Sequence, residues 1–183
     1  MLVQEFWDAN HREQQLPARR PPVRWSPPLE ASYKANFDAA IFDGTSFVGI
    51  GVVFRDHSGS IIAALSQRIE SFHLVELAET LTAGRAVMLA RELSLFDVIF
   101  EGDCLRVVQA LRCFGHCNTL FGQVIEESKR LGCSLRQCQF QHVRREGNKL
   151  PHGSARTAVS TVDTIVWVEE NYLVIWSLPS NLI

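Results

Sequence analysis

The stretch YKANFDAAIFDGTSFVGIGVVFRDHSGSIIAALSQRI, Tyr33 to Ile69, decides the fold. Its first run sets Tyr33, Ala35 and Phe37 against Lys34, Asn36 and Asp38, the two-residue period of a strand. FVGIGVVFRD supplies a second strand and IIAALSQRI a third. DGTS at 43–46 and DHSGS at 56–60 lie between them. Asp and Ser hydrogen-bond to nearby backbone and Gly accepts positive φ, so both read as tight turns. Three strands on short turns make an antiparallel meander.

The period then changes. From Leu74 to Arg91 there is no proline, and Leu74, Leu77, Leu81 and Met88 mark one helical stripe. A second row, Glu79, Ala83, Ala86 and Ala90, has side chains small enough to let a helix lie close to a sheet. LFDVIF reads as strand four, DCLRVVQALR as a short helix, TLFGQVIEESKRL as another, and SLRQCQFQHV as strand five. A loop, REGNKLPHG, leads into a final helix over about His152 to Thr161. A meander followed by crossover helices implies an α/β fold: a five-stranded mixed sheet with helices on its faces. Residues 1–32 carry prolines at 17, 21, 22, 27 and 28 and read as an N-terminal extension. The folded domain is expected over 33–162, and the apolar tail 163–183 is expected to pack on it.

The chain has 183 residues, 46% hydrophobic and 21% charged, which supports a globular core. Five cysteines, an odd count, suggest a reduced, intracellular protein, with nucleus, cytoplasm and organelle all open. Cys113, His116, Cys117, Cys133 and Cys138 have no strong zinc spacing and read as ordinary small residues. Glu5 and Asp8 interrupt the N-terminus, and no apolar run approaches transmembrane length, so no membrane partner is expected. Oligomeric state is left open.

Charge is divided along the chain. Residues 129–156 hold seven basic side chains (Lys129, Arg130, Arg136, Arg144, Arg145, Lys149 and Arg156) against Glu146 alone. Residues 33–128 hold seven basic and twelve acidic ones. That separation suits a polyanion on one wall and cations collected elsewhere. In FEGDC, Phe100 to Cys104, two carboxylates stand where a strand ends and a helix begins. Asp103 reads either as a helix N-cap or as a ligand at the carboxyl end of a strand. If strand four lies beside strand one, Asp103 meets Asp38, and the helix after the meander brings Glu79 over both. Carboxylates so placed repel one another, and a divalent ion such as Mg²⁺ or Mn²⁺ relieves the repulsion.

Four segments carry a resemblance: WSPPLEASYKANFDAA, AETLTAGRAVMLAREL, FEGDCLRVVQAL and HVRREGNKLPHGSA. In this order and spacing the chain resembles a type 1 ribonuclease H domain, in its plant reverse-transcriptase-like branch. The resemblance implies a ribonuclease H-like fold and a metal-binding, catalytic set at Asp38, Glu79 and Asp103. Two Mg²⁺ ions, or Mn²⁺, would serve hydrolysis of the RNA strand of an RNA–DNA hybrid, leaving 5′-phosphate and 3′-hydroxyl ends. The fourth acidic position falls on His152, and Asn148 matches the Asn four residues before it. Arg136, Arg144, Arg145, Asn148, Lys149 and Arg156 are the candidate nucleic-acid contacts. Departures from the family pattern are His152 itself, Cys104 in place of Ser, Ala39-Ala40 after the first Asp, and a short loop with no His between His142 and His152. His152, the short loop and Cys104 favour a second reading, a nucleic-acid-binding domain with weak or no catalysis.

Overall fold

The computed structural model describes residues 25–70, 74–113, 115–160, 164–168 and 172–176. Most of the expected N-terminal extension, residues 1–24, and the end of the tail, 177–183, lie outside the described residues. The elements are β1 (Tyr33–Ile41), β2 (Phe47–Arg55), β3 (Ile61–Glu70), α1 (Val75–Glu92), β4 (Asp97–Gly102), α2 (Leu105–Arg112), α3 (Gly122–Gly132), β5 (Gln137–His142), α4 (Lys149–Thr157), β6 (Thr164–Val168) and β7 (Tyr172–Trp176).

They form one mixed sheet in the order β5-β4-β1-β2-β3-β6-β7. β1, β2 and β3 are the antiparallel meander, while β4 runs parallel to β1 and β5 parallel to β4. Parallel neighbours need crossovers, which α1 and the α2–α3 pair provide. Among the described residues the sheet has seven strands rather than the expected five. The run TIVWV pairs antiparallel with β3 and satisfies backbone groups that an outer edge would leave open, and β7 pairs with β6 in turn.

The pleat sends alternate residues to opposite faces. Ala35 and Phe37 of β1, Ile50, Val52 and Phe54 of β2, Leu65 of β3 and Phe100 of β4 enter one core with Ala83, Ala86 and Ala90 of α1. Among the α1 stripes, the leucine row is not the buried one. Leu74 is 46% exposed, and Leu77, Leu81 and Met88 are half-buried. The alanine row faces the sheet because small side chains permit a close approach. α3 covers the reverse side, with Ser128 Oγ 2.9 Å from where a Cβ on Gly84 would stand.

α4 lies on the other face, over β2. It starts at Lys149, three residues earlier than the sequence suggested, so Pro151 sits within its first turn. The helix comes so close that a Cβ on Gly49 would stand 2.1 Å from Ala155 O, and one on Gly51 2.0 Å from Pro151 O. Glycine is required at both positions by this contact. On the same face stand Lys34, Asn36 and Asp38 of β1, Arg55 of β2 and Glu101 of β4.

Candidate active site

β1 and β4 are parallel with Asn36 opposite Glu101, so Asp38, two residues further along, comes level with Asp103 just past the end of β4. Glu79 reaches them from the first turns of α1, whose start is tied to that of α2 by the Glu76–Arg106 ion pair. One carboxylate oxygen from each of Asp38, Glu79 and Asp103 lies within 4.8 Å of the others. Asp38 and Glu79 are 4% and 5% exposed. Asp103 is not a helix cap: the N-cap of α2 is Cys104, and no side chain caps that helix.

Burial pushes the carboxyl of Glu79 well above its ordinary range, and the charges of Asp38 and Asp103 push it further. Asp38 is also raised, first by burial and then by Asp103, with His152 acting in the opposite direction. One oxygen of Glu79, Oε2, is buried without a hydrogen-bond partner among the described residues. Crowded carboxylates, raised proton affinity and a buried oxygen without a partner on one of them are what a divalent cation would relieve. The all-oxygen donor set suits Mg²⁺ or Mn²⁺.

His152 stands beside this cluster. It closes the first turn of α4, and its Nδ1 is 2.6 Å from Asp38 Oδ2. It is attached to Asp38 rather than placed among the three clustered oxygens.

The candidate nucleic-acid residues divide into three groups. Arg144, Arg145, Lys149 and Arg156 are exposed and make no ion pair among the described residues. The loop holding the first two leaves β5 beside the cluster: Val143 N donates to Gly102 O at 3.0 Å, and His142 Nε2 is 3.1 Å from Asp103 O. Arg136 belongs elsewhere. It pairs with Asp97 at the opposite end of β4, six residues or about 20 Å from Asp103 at the usual strand rise. Asn148 is 1% exposed, donates Nδ2 to Phe37 O at 2.8 Å and accepts from Asn36 Nδ2 at 3.3 Å, so it has no surface to offer a phosphate. Its work is to fasten the start of α4 to β1.

Asn148 leads into a buried network not expected from the sequence. Glu101 accepts from Asn36 Nδ2 at 2.9 Å and pairs with Lys34 Nζ at 2.8 Å. Asn36 Oδ1 accepts from Arg55 Nη2 at 2.6 Å, and the Arg55 guanidinium stacks on Trp25, 3.5 Å from the ring centroid. The two carboxylates of FEGDC therefore have separate duties. Glu101 is held inside by cations, and Asp103 faces the cluster. The signal available in the sequence was the spacing Lys34, Asn36, Asp38 opposite Glu101, Asp103, which puts all five on one face once the strands are neighbours.

A family model described as reverse transcriptase-like matches residues 36–158. No curated protein matches the chain. Among solved structures, RNase H1 from the halophilic archaeon Halobacterium salinarum is similar at 21% identity and a TM-score of 0.65, over 70% of this chain and 98% of that one. LC11-RNase H1 in complex with an RNA/DNA hybrid is similar at 18% identity and a TM-score of 0.59, over 70% and 99%. The protease–reverse transcriptase of prototype foamy virus is similar at 14% identity and a TM-score of 0.56, over 79% of this chain and 23% of that one.

Proposed function

Because the chain belongs to the reverse transcriptase-like family of ribonuclease H-like domains, we propose that it binds RNA–DNA hybrids and hydrolyses their RNA strand with divalent metal ions. The observation that carries this reading is the convergence of Asp38, Glu79 and Asp103, with Glu79 Oε2 unpartnered. Asp38, between the other two carboxylates and His152, is the residue best placed to hold an ion on either side. Two divalent ions, Mg²⁺ for preference, would supply an activated water and a counter-charge for the leaving oxygen of a phosphodiester. Arg144 and Arg145, on the loop next to Asp103, and Lys149 and Arg156 on α4 would hold backbone phosphates of the duplex. Telling RNA from DNA requires contact with 2′-hydroxyls, so the ribose side of the hybrid must face the cluster.

The reading is tested by incubating the purified chain with a hybrid labelled on its RNA strand and Mg²⁺ or Mn²⁺. Wild type is expected to cut the RNA and leave 5′-phosphate ends. Asp38→Asn is expected to retain the fold and lose cleavage, since it removes a ligand charge at almost no change in volume. Equal cutting by both proteins would show the wrong site. The contact between His152 and Asp38 favours a second reading, in which the imidazole occupies Asp38 and the domain binds nucleic acid without cutting it. A wild type that binds hybrid but releases no product with either ion would establish that alternative.

A further inference from the structure

Asn36 lies two residues before Asp38 on the same face of β1, and it is completely buried. Its side-chain amide is fully engaged. Nδ2 donates to Glu101 Oε2 and to Asn148 Oδ1, and Oδ1 accepts from Arg55 Nη2. A guanidinium only donates, so Arg55 fixes which end of the Asn36 amide is oxygen. That leaves Nδ2 facing the two acceptors, and Lys34 holds the other oxygen of Glu101. A reversed amide would set oxygen against oxygen on one side and N–H against N–H on the other.

Asn148 is the residue before α4 and donates to Phe37 O, the backbone position next to Asp38. His152 is one turn further along, its backbone N–H directed at Asn148 O. A rigid helical turn therefore separates the Asn36–Asn148 contact from the imidazole. Pro151 O already sits against Gly51, so the helix start cannot settle closer to the sheet. It can only lift or slide, and Asn36 with Asn148 resists both movements.

We propose that Asn36 is a positioning residue: through Asn148 it holds the start of α4 so that His152 Nδ1 meets Asp38 Oδ2. Glu101 and Arg55 set the orientation that lets Asn36 do this. The inference rests on the reading of Asp38 and His152 as residues of the site.

The test uses the full chain, metal-free and labelled with ¹⁵N-histidine. The proton between His152 Nδ1 and Asp38 Oδ2 should give a protected, downfield resonance in wild type, assigned by its loss in His152→Ala. In Asn36→Ala it should vanish into exchange with water. Asn148→Ala serves the same purpose if Asn36→Ala does not fold. Val53→Ala, which removes volume at the position paired with Asn36 on β2 but no hydrogen bond, should keep the resonance. Mn²⁺ titrations supply a second readout. Asn36→Ala should weaken binding roughly 10–100-fold, the range for partners that orient a ligand, and should cause no additional loss in a His152→Ala background. Absence of the resonance in wild type, its retention in both asparagine variants, its equal loss in Val53→Ala, or additive losses of Mn²⁺ affinity would each overturn the proposal. Failure of wild type to cut hybrid would sink the proposed function and leave the resonance as it is.

Discussion

Glu79→Gln should make the metal-free protein more stable at neutral pH. Glu79 is buried, its carboxyl is raised well above the ordinary value of 4.5, and Oε2 lacks a partner. A carboxyl whose folded pKa exceeds its unfolded one contributes fully to stability below the unfolded value and loses that contribution as pH rises through the folded value. At pH 7 the loss is bounded, because the folded protein can always keep the proton instead. Holding a proton at pH 7 on a group that ordinarily releases it at 4.5 costs roughly 3.4 kcal/mol, at 1.36 kcal/mol per unit. Repulsion alone would permit such a figure, since two charges 4.8 Å apart interact by about 3.5 kcal/mol at an effective dielectric of 20. Glutamine keeps the shape and removes the charge. Its amide N–H groups can donate to the carboxylate of Asp38 close by. The gain is therefore up to about 3.4 kcal/mol at pH 7, or roughly 7–14 °C in Tm for a chain of this size. Near pH 4 it should shrink towards zero. Thermal melts of both proteins in EDTA at the two pH values measure it. Saturating Mg²⁺ should narrow or reverse the difference, because an ion at 100 times its Kd stabilises a competent site by about 2.7 kcal/mol. Equal melting at pH 7 in EDTA, or a gain unchanged at pH 4, would refute the picture of a strained carboxylate cluster.

Four other perturbations test other parts of the structure. Gly51→Ala must open a contact of 2.0 Å to about 3.4 Å against the α4 backbone; the expected cost is about 1–3 kcal/mol, read by thermal melting. Gly153→Ala on the open side of the same helix, with nothing within 4 Å, should instead stabilise by roughly 0.5–1 kcal/mol. Replacing Arg144 and Arg145 by Ala should reduce the slope of log affinity against log salt by about 0.9 for each phosphate no longer neutralised, and a salt titration with an unchanged slope would place the nucleic-acid surface elsewhere. His152→Asp should raise Mg²⁺-dependent initial rates by adding a fourth carboxylate and lower the EDTA melting temperature by removing the group that opposes the rise of Asp38; no rate gain at any Mg²⁺ concentration would mean that His152 is not the weak member of the set.

The meander and its parallel neighbours were legible because alternation, turn residues and helical period each stand in a short window of sequence. Asp38, Glu79 and Asp103 were legible once β4 was set beside β1. What escaped depended on which element covers which face. Lys34 and Asn36 alternate with apolar residues and look like a solvent face, but α4 and Trp25 cover them, so their polarity is internal. The leucines of α1 stood out by hydropathy, whereas close approach to the sheet selected its alanines. Arg136 was grouped with Arg144 by charge although the two flank β5, and the β4–β5 register is what hands Arg136 to Asp97. Gly49 and Gly51 lay in plain view inside FVGIGVVFRD, yet the backbone they accommodate comes from about a hundred residues further along the chain. The pairing of β6 with β3 has the same cause: a tail with strand character does not declare which edge it will join.

The wide spacing of the site along the chain has a kinetic consequence. Asp38 and His152 are 114 positions apart, and no short segment carries two of the four side chains. Loop-closure entropy must be overcome for each long-range pairing before the next contact can form. The cluster of carboxylates and its contact with His152 therefore exist only after β4 has docked on β1 and α4 has closed over β2. An ion finds little to grip in earlier, partly folded forms. Its effect belongs to the way out of the native state: bound cation should act as a brake on unfolding and leave the rate of folding almost untouched.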